Sequence, residues 1–484
     1  MRHITTKANS AMTTADAQTV TSPATLTAGY KCPPSVLLGM CIGVSIYWLF
    51  ALSMGPLLPA IAKDFGVAAP DLALPMSLAG LVSGIFIMPA GGLADRVGRL
   101  RMTRIGLALG LAGMLAAGLA TEMTMLTIGR FLQGLAAAVI MPATLALVKV
   151  YYDDETRPRA ISYWSMSTFG CASVSSIFGG LIGSSFGWRW AFLLAAPFIL
   201  AAYWMLRSAP ESKVESGAKR PFDALGFGVL IVGLLALNLF VSKGNAWGWT
   251  SMAALGALAV AIVALGVFIP TELRHPAPIA DIALFNRRAF TGATLANFFL
   301  NTLLGLLVVL LTYLQRGRGL DALSAALLTL SYTVTVLTMI RVGEKVGKKV
   351  GPRLPMTIGG LCFIVTSVML AMTSISSNVI YFTIVFIGMG FMGTGLGLFA
   401  TPATNAAVGE APADKAGAAG GIFKMASSLG GAFGIAIHLA VFGGVTAGGG
   451  DVHAAAAYAL GMGVVASVLA ALISYLSAPG LKKA

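Results

Sequence analysis

GGLADRVGRLR, residues 91–101, breaks an otherwise greasy part of the chain with a compact, charged, glycine-rich string. An apolar run over about 72–93 precedes it and another over about 103–121 follows it. Each run is long enough, as a helix, to cross about 30 Å of hydrocarbon. The string therefore reads as a tight turn between two membrane-spanning helices. Gly91 and Gly98 allow sharp backbone turns and close helix approach. Asp95 can accept hydrogen bonds from helix ends and pair with a cation. Arg96, Arg99 and Arg101 can engage carboxylates or anionic headgroups. A charged loop of this kind suits a latch that favours one of two arrangements of packed helices.

The rest of the chain agrees with a lipid solvent. Of 484 residues, 57% are apolar and only 10% are charged, against about 25% charged in a soluble domain. Too little charge remains to cover a water-facing surface, which excludes a soluble enzyme, a secreted disulfide scaffold and a disordered protein. Cys32, Cys41, Cys171 and Cys362 are scattered and form no CxxC pair, so no disulfide framework or zinc site follows. Fourteen apolar stretches lie between about 35 and 477. They must be helices, because only helices or closed barrels satisfy the backbone in lipid. The expected fold class is an all-α polytopic membrane protein of fourteen transmembrane helices.

Loop charge then sets the orientation. With the N-terminus inside, Lys63, Arg189, Lys243, Arg316 and Arg318 fall outside and Arg130 and Lys424 within spans, leaving the other 25 of the 32 Lys and Arg cytoplasmic. The positive-inside rule predicts both termini in the cytoplasm. It also accounts for the net charge of +14 without a nucleic-acid partner. The expected organisation is a flexible tail over 1–34 and a six-helix bundle over 35–207. A linker with two inserted helices follows over 208–288, then a second six-helix bundle over 289–477 and a tail over 478–484. Two similar blocks around an inserted pair suggest a duplicated transporter with its substrate site between the halves.

The string at 91–101 is the signature loop of the major facilitator superfamily, and the chain resembles that superfamily from about 35 to 477. A degraded copy, GEKVGKKVGPR, stands at 343–353 with Lys348 where the first copy has Asp95. In the fourth span Arg130, Gln133 and Gly134 match the superfamily's Arg-x-x-Gln-Gly motif, and the resemblance implies a role for Arg130 and Gln133 in proton coupling. The alternative is an arginine near the span's outer end that snorkels to the interface. The fifth span reads STFGCASVSSIFGGLIG, with Ser175 and Ser176 where antiporters of the superfamily carry Gly-Pro. Gly179 and Gly180 still permit close helix packing. WLFALS at 48–53, GWRWAF at 187–192, FTGATLANFFLN at 290–301 and GIFKMASSLGGAFG at 421–434 are similar to the quinolone-efflux proteins of the fourteen-span drug:proton antiporter group. That resemblance implies a monomeric exporter of fluoroquinolones, dyes and biocides in the bacterial cytoplasmic membrane, driven by protons. A narrow exporter of one metabolite or siderophore on the same fold is the alternative.

No enzyme is expected. GMGFMG at 388–393 lies within an apolar span and reads as helix packing, not a dinucleotide loop. No phosphate-binding GxxxxGK[ST] string is present, the histidines do not cluster at metal spacing, and no cofactor is implied. The proton route is less plain, because no Asp or Glu lies near the centre of any span. Glu410 follows span 12. Lys424 lies about eight residues into span 13, roughly 12 Å by helix rise. His438 lies deeper in the same span, and an imidazole titrates near pH 6.5 when unperturbed. In this architecture spans 1, 2, 4, 5, 9, 10, 12 and 13 should line the cavity. Asn297 and Asn301 share a helical face, Tyr332 and Asn405 add polar contacts, and Trp48, Phe50, Met141 and Trp164 offer surface for aromatic drugs. For each aromatic, ordinary packing is the alternative.

Overall fold

The computed structural model describes residues 30, 32–153, 155–213, 223–276, 278–409, 411 and 416–479. It contains 14 helices long and apolar enough to cross a membrane. Spans 1 to 6 are Pro34–Phe65, Ala69–Val97, Arg99–Gly118, Met123–Tyr151, Arg159–Phe186 and Trp190–Ser208. Spans 7 and 8 are Ala224–Trp247 and Met252–Arg274. Spans 9 to 14 are Arg288–Arg316, Ala322–Val350, Arg353–Leu370, Asn378–Gly409, Ala418–Ala447 and Val452–Ser477. Successive spans run antiparallel, so the start of span 1 and the end of span 14 share one end of the molecule. That end carries the string at 91–101 and is called the basic end below.

Side chains cap several of these helices where they leave the loops. Asp223, Ser251, Asp321 and Asp451 accept from backbone N–H groups at the starts of spans 7, 8, 10 and 14. At Asp321 the bonds from the Ser324 backbone and hydroxyl hold the carboxyl below the usual carboxylate range. Among the irregular spans, 1 and 9 depart from regular helix at matching places in the two blocks. Span 1 widens into a π turn over Ile46–Ala51 and tightens over Leu52–Leu57 around Pro56. Span 9 is broken at Thr302, between helices Arg288–Asn301 and Leu303–Arg316. Such breaks free backbone carbonyls, which are tolerated in a membrane only where protein satisfies them.

A second repeat appears once the packing is seen. Span 5 carries Gly179, Gly180 and Gly183; span 13 carries Gly430, Gly431 and Gly434 at identical spacing. A Cβ on Gly179 would stand 2.2 Å from the Ser53 carbonyl oxygen of span 1, and one on Gly430 would stand 2.2 Å from that of Phe298 in span 9. The same device presses span 5 onto span 1 and span 13 onto span 9, as small residues do where backbones must approach in lipid.

The two bundles meet along three seams. Span 2 runs against span 13, with Gly84 close to Ser428 and Leu429 and Gly421 close to Met88. Span 5 meets span 10: Thr333 donates to the Ser173 carbonyl at 2.7 Å, and a Cβ on Gly180 would stand 2.6 Å from the Ala322 carbonyl. Span 1 meets span 9, where Gln315 donates to the Pro56 carbonyl at 2.9 Å. Among the described residues, these cross-bundle hydrogen bonds lie between mid-membrane and the end opposite the basic end.

Spans 7 and 8 pack against each other, and span 7 covers the seam between spans 2 and 13. Leu78, Leu81 and Ile85 of span 2, Leu230 and Leu234 of span 7, and Leu429 and Phe433 of span 13 form one apolar cluster. Buried Asn238 accepts from Ser77 of span 2, and Asn245 donates to the Ala440 carbonyl of span 13. The inserted pair is thus tied to both bundles. At the end opposite the basic end, one arginine knits the loops of each bundle. Arg189 bonds Asp64 and the Ala120 carbonyl. Arg318 bonds Tyr313, Asn378 and the carbonyls of Thr373 and Ile375.

Candidate transport site

The string at 91–101 builds a closed arrangement within the first bundle. Gly98 sits at φ +125°, a conformation that favours glycine. Its turn starts span 3, whose first backbone N–H groups have no partner inside their own helix. The segment after span 6 supplies partners. Ser212 accepts from the Arg99 N–H at 2.8 Å. The Glu211 carboxylate accepts from the N–H groups of Leu100 and Arg101, both at 2.9 Å. A Cβ on Gly98 would lie 2.6 Å from that carboxylate, so a side chain there would strain the backbone and push Glu211 aside. Asp95 pairs with Arg99 at 2.8 Å, and Arg99 also donates to the Ser212 hydroxyl. Arg104 reaches the Leu206 and Arg207 carbonyls, and Tyr151 donates to that of Pro210. Gly91 is in ordinary contact with Pro142; it makes no close helix approach.

The copy at 343–353 keeps the turn and changes the charges. Gly351 also has positive φ, +81°, and its N–H bonds the carbonyl four residues back, as that of Gly98 does. Lys348, in the place of Asp95, pairs with Glu344 on its own helix.

Arg130 is 3% exposed, so it does not snorkel. Its guanidinium donates to the carbonyls of Pro75 at 2.9 Å, Ala51 at 2.8 Å and Met76 at 3.4 Å, and to Gln133 Oε1 at 2.6 Å. Gln133 in turn donates to the Gly113 carbonyl. One planar cation on span 4 therefore ties spans 1, 2 and, through Gln133, 3. The irregular stretch of span 1 is what presents Ala51 as an acceptor.

Lys424 forms a second cluster in span 13. Its ammonium stands 4.7 Å from the centroid of the Trp48 indole of span 1. Asn297 donates to the backbone carbonyl of the preceding residue, Phe423, and accepts from Asn301. The Trp48 indole N–H is buried without an acceptor. His438 stands apart, 3% exposed and about two turns further along span 13 from Gly430. Its Nδ1 lies 2.8 Å from the Gly434 carbonyl, and its Nε2 has no partner. Glu410 lies outside the described residues. The candidates for proton coupling thus form separate places, not one relay.

Several expected cavity residues point elsewhere. Phe50 packs edge-on against Phe178 and beside Phe198, inside the first bundle. Met141 is buried among spans 1, 3 and 4, beside Gly43, Met114 and Gln133. The Trp164 indole donates to Thr144 at 3.0 Å, fastening span 5 to span 4. These three fill the bundle interior because its helices leave flat gaps that large side chains close. Tyr332 is half-buried on span 10, and Asn405 is exposed near the basic end of span 12. Gly179 and Gly180, adjacent in sequence, serve different seams: one within the first bundle, one between bundles. Sequence reasoning missed Glu211 entirely, since one glutamate in a polar linker carries no pattern. The repeated Gly-Gly-x-x-Gly spacing was the signal available for the role of span 13.

A multi-pass bundle of this form, with its seams and its carbonyl-bound buried arginine, is that of a membrane transporter. Residues 40–435 match the Major Facilitator Superfamily, and the chain belongs to that family; it is a transporter of small molecules and not an enzyme. It is 40% identical over 442 residues to the quinolone resistance protein NorB of Staphylococcus aureus (strain MRSA252), covering 90% of this chain and 95% of that protein. NorB of strain JH9 matches with the same identity and coverage. Among solved structures, a peptide transporter POT in complex with sulfate aligns with a TM-score of 0.68 at 16% identity, covering 94% of this chain and 96% of that one. A D-xylose–proton symporter aligns with a TM-score of 0.66 at 15% identity, covering 93% and 98%. At those identities the two structures speak for the fold alone.

Proposed function

We propose that this chain exports amphipathic drugs, quinolones among them, across the bacterial cytoplasmic membrane in exchange for protons. The observation that carries the reading is the 40% identity, over 90% of the chain, to proteins named for quinolone resistance. In this reading the basic end and both termini face the cytoplasm, in keeping with the positive-inside rule, and the protein works as a monomer. The two six-helix bundles rock about a crevice near the midplane. The hydrogen bonds from Thr333 to Ser173 and from Gln315 to Pro56 then close the outer face and break when the site opens outward. Asp95, Arg99 and Glu211 hold the cytoplasmic turn of the first bundle in one of its two arrangements. With no acid at mid-span, Arg130 with Gln133, Lys424 and His438 are the groups available within the membrane to couple proton movement to rocking.

Expression in a host stripped of its own pumps tests the reading. Inhibitory concentrations of fluoroquinolones, dyes and biocides should rise severalfold. Asp95→Asn should reach the membrane and lose most of that protection. Unchanged susceptibility with wild-type protein present in the membrane would overturn drug export. Protection against a single compound class would favour a narrow exporter.

A further inference from the structure

A buried charge in a membrane protein ordinarily finds an opposite charge or a set of carbonyls. Arg130 follows that rule; Lys424 is half-buried on span 13 and, among the described residues, has no such partners. Among the described residues its ammonium has no hydrogen-bond acceptor and no carboxylate; its recorded contact is the face of Trp48 at 4.7 Å. Lys424 lies one residue short of a turn from Gly421, which faces Met88 of span 2, and one turn from Ser428, which faces Gly84 of span 2. It therefore belongs to the side of span 13 turned toward the first bundle. Trp48, from that bundle, adds a buried indole N–H that also lacks an acceptor. Asn297 is only 7% exposed, and its amide is already spent on Phe423 and Asn301. The place thus offers a cation, an N–H donor and an aromatic plane, contributed from both bundles. Among the described residues, no anion completes it.

We infer that Lys424 and Trp48 anchor the carboxylate of those substrates that carry one on a flat aromatic body. The inference rests on the export reading. The carboxylate takes the Lys424 ammonium and the Trp48 N–H, the first of them a charge-assisted bond. The aromatic body lies against the apolar surface of spans 1 and 13. Because the two donors come from different bundles, an anion between them bridges the halves that must rock.

The test uses the full-length protein in nanodiscs for binding and in proteoliposomes for transport. The probes are norfloxacin, its carboxyl ethyl ester and tetraphenylphosphonium. Wild type should bind the acid at least about tenfold more tightly than the ester, one decade of affinity being about 1.4 kcal/mol. Lys424→Gln should bring the acid down to the ester's affinity while leaving the ester unchanged. Lys424→Arg should keep most of the discrimination. Trp48→Phe, which keeps a ring and removes the N–H, should reduce it severalfold. Equal binding of acid and ester by wild type overturns the anchor, as does a Lys424→Gln protein that is monodisperse yet weakened equally toward both. Lys424→Gln transport of tetraphenylphosphonium that falls as far as that of norfloxacin overturns it while leaving export standing. Discriminating binding with no transport of any probe sinks the export reading and leaves the anchor as a binding site.

Discussion

Replacing Arg130 by methionine separates what the buried cation does for stability from what it does for transport. The guanidinium donates four hydrogen bonds, to the carbonyls of Pro75, Ala51 and Met76 and to Gln133. Hydrogen bonds between transmembrane helices average about 0.6 kcal/mol and reach about 1.7. The set therefore contributes about 2–3 kcal/mol at the average and less than about 7 at the ceiling. Against that stands the unfavourable insertion of an arginine at depth, about 2.5–3.5 kcal/mol, which methionine removes. Methionine also fills much of the arginine's volume and adapts to irregular gaps. The two effects nearly cancel at the average bond value, so Arg130→Met should change the stability by no more than about 2 kcal/mol. That corresponds to a melting shift of a few degrees for a chain of this size. Transport per folded molecule should fall at least about tenfold, and its dependence on an imposed pH gradient should vanish. Thermal melting of the detergent-solubilised protein and flux in proteoliposomes are measured on the same preparation. A variant that melts more than about 10 °C below wild type, yet transports at the wild-type rate when folded, would refute a coupling role. It would make Arg130 a structural tie.

Glu211→Ala removes the acceptor for the Leu100 and Arg101 amides. Because Glu211 is exposed, the helix end should lose only about 1 kcal/mol; hydrogen exchange of those two amides should quicken about fivefold, and unchanged exchange would show that solvent caps the helix equally well. Gly98→Ala should be worse than Glu211→Ala, since it meets both the positive φ and the Glu211 carboxylate, and expression level with transport per molecule reports it. Gly179→Ala should destabilise by about 1–3 kcal/mol, the usual result of overpacking, because its Cβ meets the Ser53 backbone. Gly180→Leu, which meets the Ala322 backbone of span 10, should lower melting as well and weaken the span 5–span 10 seam. Labelling of a cysteine introduced near Thr333 from the outer face would then speed up, and a constant rate would count against that seam as the outer gate.

The spans were legible because lipid leaves the chain so little choice. Twenty or so apolar residues in a row, bracketed by Arg or Lys, have only the helix available. The turn was legible from its glycine and charges, although it occupies Gly98 alone, the helices on either side running to Val97 and from Arg99. Facing was not. Phe50, Met141 and Trp164 look from sequence like cavity surface, yet all three fill gaps within the first bundle. In lipid, an apolar residue on any face of a helix is equally acceptable, so hydropathy carries no phase. Polar residues kept some: Asn297 and Asn301 do lie together and turn toward span 13. Lys424 was visible as a charge out of place, but its meeting with Trp48 depends on how two bundles dock, which no local pattern encodes. Glu211 was invisible for the same reason, its partners Leu100 and Arg101 lying 111 and 110 positions earlier in the chain.

Purified protein in sealed vesicles, loaded with norfloxacin and given a pH difference or a voltage in separate runs, addresses the mechanism most directly. The account predicts that drug moves uphill when protons run the other way, and that the movement stops when the pH difference is collapsed by an ionophore. Drug flux that is absent, or that proceeds at the same rate with the gradient dissipated, would contradict it.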